Sequence, residues 1–306
     1  MVGAVPQDWT VAVVVVTYQS RRLLGDFVGS LDAGLAGVGA WRLVVADNDS
    51  DDGTVDEIGR LAPSAALVGL GANRGYAAGV NAGIKAAGAV DAVLVANPDI
   101  RLEPGTVARM VETMIETRAG IVVPRLVDER RHLLTTLRRE PTLARVAGEA
   151  VLGGGRAGRS PRWGEVVTDP AAYGSRATAD WATGALMLIS LTCAQTVGTW
   201  DESFFLYSEE TDYCLRARNA GFPLVYEPDA IAVHLGGESG VSPPLYALLT
   251  VNRVRLYRRT HGPVAGAAFW SMLLLGEAVR AAAGRPTSKA AVRGLLRPAA
   301  VDPRGR

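Results

Sequence analysis

The run VAVVVV at residues 11–16 limits the fold more than any other stretch of the chain. Six consecutive apolar residues, most of them β-branched, leave no polar side to face water. A strand built from them must be covered on both faces, as in a parallel sheet between helices. Similar runs follow in WRLVVADNDS, AALVGLG, DAVLVANPDI and GIVVPRLVD. Between them lie segments with helical spacing. Leu23, Leu24, Phe27, Val28 and Leu31 come after a capping Ser20, and Val55, Ile58 and Leu61 form a second set. The small-residue stretch NRGYAAGVNAGIKAAGA is a third, and Val107, Met110, Val111 and Met114 a fourth. This alternation predicts right-handed βαβ units and an α/β, Rossmann-like, mainly parallel sheet flanked by helices. Ligands of such sheets sit beyond the carboxyl ends of the strands. Here those ends read Thr17-Tyr18, Asp47-Asn48-Asp49, Asn73-Arg74-Gly75 and Asn97-Pro98-Asp99. Asn-Pro is an ordinary turn, so Asp99 either closes that turn or holds something charged.

The alternation breaks after Val127. Residues 128–180 carry Arg130, Arg131, Arg138 and Arg139 and the stretch GGGRAGRSPRWG. This reads as a mobile connection or an acceptor-side segment, with a merely disordered insertion equally compatible. Regularity returns at WATGALMLIS, a further strand, and at two helical pieces around the aromatic turn FFLY. PLVYEPDAIAVHLGG reads as a strand pair ending at His234, before Gly236-Gly237. The expected division is a domain over 10–240 and a basic, mainly helical extension over 241–306. That extension has eleven Lys/Arg against two acids, Glu277 and Asp302. It suggests docking on an anionic membrane face, or simply a solvated appendage. A net charge of +1 argues against nucleic acid as a partner. No uninterrupted apolar run reaches the roughly 20 residues of a membrane span. The N-terminus has no signal-peptide pattern, so a cytoplasmic location is expected. Cys193 and Cys214 form no CxxC pair and read as buried thiols.

Several residues could carry chemistry. In SEETDYCLRARNAG, Ser208 would cap a helix whose first turn holds Glu209, Glu210 and Asp212. Capping and the helix dipole alone account for that pattern. Paired carboxylates behind an aromatic turn also suit a general base, which the dipole would keep ionised. His234, at a strand end, is structural or a metal ligand. Asp99 and His234 with diphosphate oxygens would make a sensible site for Mg²⁺ or Mn²⁺. DNDSDDGT is a turn by composition, though Asp47 could accept the N3–H of a pyrimidine base. GLGANRG is a near miss to a dinucleotide fingerprint and follows the third strand instead of the first.

Taken in order, VVVVTYQS, VVADNDSDDGT, GANRGYAAGVNAGI, LVANPDI, WATGALMLI, DESFFLYSEETDYCLRARNAGF and YEPDAIAVHLGG resemble the family 2 glycosyltransferases of GT-A fold. The resemblance covers residues 10–240. N-P-D in place of D-x-D, and NRVRLYRRTHG after the histidine, resemble the bacterial rhamnosyltransferase-like branch. The likeness implies an inverting transfer of a sugar, such as rhamnose from dTDP-rhamnose or the sugar of a UDP donor. The acceptor would be a glycan or a polyprenyl-linked glycan, and the basic C-terminal part could hold a polyprenyl-diphosphate acceptor. It implies a nucleotide site along Thr17, Tyr18, Asp47, Asn48, Asn73, Arg74, Gly75 and Asn97. Asp99 and His234 would be the metal ligands. Glu210 would be the base, with Glu209 able to exchange roles with it, and Asp212 and Arg216 would support the helix or the acceptor side. Asn97 and the Glu-Glu pair depart from the usual D-x-D and Glu-Asp. Two other readings stand beside this one: a sugar-binding protein that kept the fold without catalysis, and a dinucleotide-dependent oxidoreductase.

Overall fold

The structure is a computed structural model that describes residues 6, 8–236 and 242–301. Gly237 and Asp302 lie outside the described residues. The first half alternates as the apolar runs predict: β1 (Thr10–Thr17), α1 (Arg21–Gly34), β2 (Ala40–Asp47), α2 (Thr54–Leu61) and β3 (Ala66–Gly69). Then come α3 (Tyr76–Ala86), β4 (Ala92–Ala96), the short β5 (Ile100–Leu102), α4 (Thr106–Thr117) and β6 (Ile121–Val127). β1 pairs in parallel with β2 and with β4, so Val13 lies between Leu43 and Leu94. Every residue from Val11 to Val15 is fully buried. One face of the sheet packs on α1 and α4 through Leu24, Phe27, Leu31, Val107 and Met110. The other packs on α3, whose Gly79 and Gly83 let its backbone close on β1. A Cβ there would come within 2.5 Å of Val16 and 2.3 Å of Val14. The small residues of α3 are thus a requirement of close helix–strand contact.

Residues 128–180 are not an unstructured connection. They contain β7 (Leu137–Arg138), α5 (Leu143–Leu152), α6 (Gly154–Ala157) and β8 (Ala177–Ala179). Arg139 holds this segment together by donating to the carbonyls of Gly158, Ser160 and Gly164. The expected strand WATGALMLIS is two strands, β9 (Trp181–Ala182) and β10 (Leu186–Ser190), followed by α7 (Leu191–Val197) and α8 (Glu209–Asn219). The expected strand pair is one long strand, β11 (Leu224–His234), with a bulge between Glu227 and Ile231. The main sheet runs β3-β2-β1-β4-β10-β6-β11-β5, with β8 beside β11. β10 enters antiparallel between β4 and β6.

The chain ends in α9 (Pro243–Ala282) and α10 (Pro286–Leu296). By length and composition alone, α9 is apolar enough to cross a membrane. It breaks at Gly262 (φ 80°), with Pro263 opening its second half. Val146 of α5 packs with Val254, Tyr257, Phe269 and Leu273 of α9 and Leu295 of α10. Glu277 is buried and bonds Tyr246 and Arg280, tying the two halves of α9 together.

Candidate active site

The sheet register builds the site. The turn Asn97-Pro98-Asp99 leaves β4 at its carboxyl end, and β5 then pairs antiparallel with β11, setting Ile100 opposite His234. His234 Nε2 consequently lies 3.2 Å from Asp99 Oδ2, and Leu235 N–H donates to Asp99 O at 3.0 Å. Burial by itself would raise the Asp99 pKa. The hydrogen bond and charge of His234, with backbone N–H groups, more than offset this and hold the carboxyl below its usual range. Asp99 Oδ1 is buried without a hydrogen-bond partner. A carboxylate kept ionised with one lone oxygen suits a hard divalent cation. Among the described residues no group of three or more His, Cys, Asp or Glu gathers to hold a metal. The pair therefore fits an ion that completes its shell with phosphate oxygens and water.

The other strand-end residues form the rest of this edge. Asp47 is buried and accepts from Thr17 Oγ1 at 2.7 Å, from Ser50 N at 2.8 Å and from Ser50 Oγ at 2.7 Å. Its visible work is to organise the loop. Asn48 joins two strand ends, accepting from Arg74 N at 3.0 Å and donating to Gly75 O at 3.3 Å. Asn73 accepts from Gly75 N. Tyr18 is half exposed at the rim, and Arg74 is turned outward to Glu202. Gly75 has φ 91°, and a Cβ on it would meet Phe205 O at 2.3 Å. Only glycine lets the 202–208 turn come this close.

That turn delivers the acidic pair. Phe205, Tyr207 and Ser208 all have positive φ, a strain of roughly 1–3 kcal/mol each. Ser208 sits in the left-handed region with no capping bond from its side chain, contrary to expectation. The turn is held from outside. Asn252, buried on α9, donates through Nδ2 to the carbonyls of Phe204, Leu206 and Tyr207 at 2.9, 2.9 and 3.2 Å. Arg255 of α9 donates to Ser203 O, and Arg259 pairs with Asp201. These arginines and Arg253 are engaged within the protein and are not free to meet a membrane face.

Glu209 is buried and Glu210 half-buried, and each has one oxygen without a partner. Burial first, then the charge of Glu210, push the Glu209 carboxyl well above its ordinary range. Burial also raises Glu210, opposed by nearby backbone N–H groups and by Arg138. Desolvation thus opposes the stabilisation expected from the helix end and raises both carboxyls. Glu209 carries the larger penalty and holds a proton more tightly than Glu210. Asp212 is not brought into the pocket. It binds Arg216 at 2.7 Å and lines an outer cleft with Trp200 and Glu202.

Glu209, Glu210, Asn97 and His234 line one cavity of about 430 Å³. Tyr76, Arg138, Trp181 and Arg253 line it too and were not singled out from the sequence. Tyr76 has a readable signal, directly after Asn73-Arg74-Gly75. Its hydroxyl donates to Gly184 O at 2.9 Å, and burial with the charges of Glu209, Glu210 and Asp99 pushes its pKa well up. A second cavity, about 590 Å³, lies between α5 and α9 and contains neither the strand ends nor the acidic pair.

Similarity to known proteins follows this geometry. The sequence pattern of Glycosyl transferase family 2 matches residues 12–163. An N-acetylglucosaminyl-diphospho-decaprenol L-rhamnosyltransferase of Mycobacterium tuberculosis is 32% identical over 233 residues, 72% of this chain and 75% of its own length. The mannosyltransferase PcManGT from Pyrobaculum calidifontis, solved with GDP-Man and Mn²⁺, superposes with a TM-score of 0.59. Its identity is 17%, covering 96% of this chain and 84% of that one. Residues 1–349 of S. aureus TarS, solved with UDP, superpose with a TM-score of 0.53 at 14% identity, covering 87% and 70%.

Proposed function

Because this chain belongs to glycosyl transferase family 2 and is a glycosyltransferase, we propose that it moves a sugar, with inversion, from a nucleotide-sugar donor to a lipid-linked glycan acceptor in cell-envelope biosynthesis. One observation carries the reading: His234, paired with Asp99 at the strand ends, and Glu209 and Glu210 at the start of α8 line the walls of a single cavity. The loops at Thr17, Asp47, Asn48, Asn73 and Gly75 would cradle the nucleotide. Asp99 and His234 would hold Mg²⁺ or Mn²⁺, which when bound would neutralise charge on the departing diphosphate. Glu210 takes the proton of an acceptor hydroxyl. That oxygen bonds to the anomeric carbon from the face opposite the nucleotide, while the bond from that carbon to the phosphate oxygen breaks. The electron pair leaves on the nucleoside diphosphate, and one displacement inverts the centre.

Rhamnose from dTDP-rhamnose is the donor we favour, on the strength of the relative named a rhamnosyltransferase. UDP-sugars rank second. A panel of nucleotide-sugars, incubated with a synthetic N-acetylglucosaminyl-diphospho-lipid and Mg²⁺ or Mn²⁺, tests it. Release of dTDP only when metal and acceptor are both present is the expected result. Turnover with another sugar alone would reassign the donor, and no turnover with any of them, despite nucleotide binding, would favour the non-catalytic reading.

We also place the protein at the cytoplasmic face of a membrane, held peripherally. Val264, Leu275, Val279 and Leu296 are 58–84% exposed on α9 and α10. Arg258, Arg285, Lys289, Arg293 and Arg297 are exposed and make no ion pair among the described residues. Apolar and cationic groups on the same helices suit an anionic bilayer surface. Co-sedimentation with vesicles containing anionic lipid, falling as salt rises, is expected. Absence of binding to both anionic and neutral vesicles removes this claim.

A further inference from the structure

Arg138 is a cation of the active cavity that has no carboxylate partner among the described residues. It belongs to β7, within the 128–180 segment, and its guanidinium lies 5.8 Å from the ring centre of Trp181. Its Nη1 donates to the carbonyls of Thr135 at 2.6 Å and Leu137 at 3.0 Å. The remaining N–H groups make no hydrogen bond among the described residues, and no carboxylate there lies within ion-pair distance. The neighbouring Arg253 already pairs through Nη2 with Glu165 at 2.6 Å and Glu149 at 3.2 Å, although its Nε has no partner. A guanidinium has five donors and stays charged, so one that lines a cavity with open donors is built to meet an anion.

We infer that Arg138 binds the diphosphate of the lipid-linked acceptor and so sets the acceptor hydroxyl against Glu210. This rests on the lipid-diphosphate acceptor proposed above. Arg138 lines the same cavity as Glu209 and Glu210, and Asp99 is not among the residues that line it. Its anion is therefore the acceptor's and not the donor's, which belongs beside Asp99. An acceptor sugar with its hydroxyl at Glu210 carries its anomeric phosphate one ring width away, within an arginine's reach. Trp181, beside the guanidinium, offers that ring an apolar face.

The test compares two acceptors, N-acetylglucosamine linked to the same short lipid through a diphosphate or through a neutral ether. The readout is the ratio of their kcat/KM values. Wild-type protein should favour the diphosphate, and Arg138→Gln should reduce that preference by about 10- to 100-fold, the worth of charge-assisted hydrogen bonds. Arg138→Lys should keep part of it. If Arg138→Gln slows both acceptors equally, Arg138 acts through Glu210 alone and the inference is overturned. If the variant keeps the full preference, the diphosphate sits elsewhere and the inference also fails. If wild-type protein shows no preference, the lipid-diphosphate acceptor itself is wrong. Because the readout is a ratio within one protein, partial misfolding of a variant cancels.

Discussion

Glu210→Gln is expected to lower the transfer rate by on the order of 10³-fold, within the range for loss of a general base, while donor binding is kept. The substitution preserves size and hydrogen bonding but cannot take a proton. Glu209→Gln should cost far less. Glu209 is the member of the pair that burial and its neighbour push further up, and an amide is a fair copy of a carboxylic acid that holds its proton. The pH profile supplies the second check. A base works only when deprotonated, and burial raises the Glu210 pKa. Activity must therefore fall on acidification, beginning at higher pH than for an exposed glutamate, whose pKa is about 4.3. The acid limb of kcat/KM should lie above that value and vanish in Glu210→Gln. Near-normal transfer by Glu210→Gln with collapse in Glu209→Gln would exchange the two roles.

The roles of that pair illustrate what a sequence carries. The motif SEETDY and its position at a helix start were readable, because acids at a helix N-terminus have a local cause. The direction of the pKa shifts was not, because it depends on burial in a cavity walled by Tyr76, Arg138 and α9, residues distant in the chain. The same division runs through the fold. β1, β2 and β4 are legible since fully covered strands must be apolar along their whole length. The glycines of α3 are legible as small residues, though only the 2.3 Å approach to Val14 explains them. Residues 128–180 were unreadable because long-range polar ties hold them, Arg139 to three carbonyls and Arg253 to Glu149 and Glu165. Such ties leave no period in the sequence. The basic residues of 241–306 suggested a membrane surface, NRVRLYRR among them, because charge alone does not say which way a side chain points. Asn252 in the same stretch clamps the strained turn, and nothing local marks it.

Asp99→Asn is expected to abolish the metal-dependent part of donor binding and to lower kcat/KM by about 100-fold or more, the scale of losing preorganised charge stabilisation at a leaving group. The substitution keeps the shape of the turn, since Pro98 and the Leu235 N–H to Asp99 O bond do not involve the carboxylate. It removes the charge that His234 and the backbone keep ionised, and it leaves Asn97 beside another amide. Calorimetric titration of the best donor, with and without Mg²⁺, separates the two explanations of this turn. If Asp99 holds the cation, wild-type affinity rises with metal and that of the variant does not. If Asp99 only closes the turn, metal strengthens both alike, thermal stability of the variant falls, and the metal assignment is lost. Because Asn97 brings no second charge, the proposed site would leave Asp99 and His234 to carry the protein's share of the coordination. Affinity in the absence of donor should therefore be weak even in the wild type, with metal and nucleotide-sugar binding together. A protein that bound Mg²⁺ tightly without nucleotide would point to ligands other than this pair.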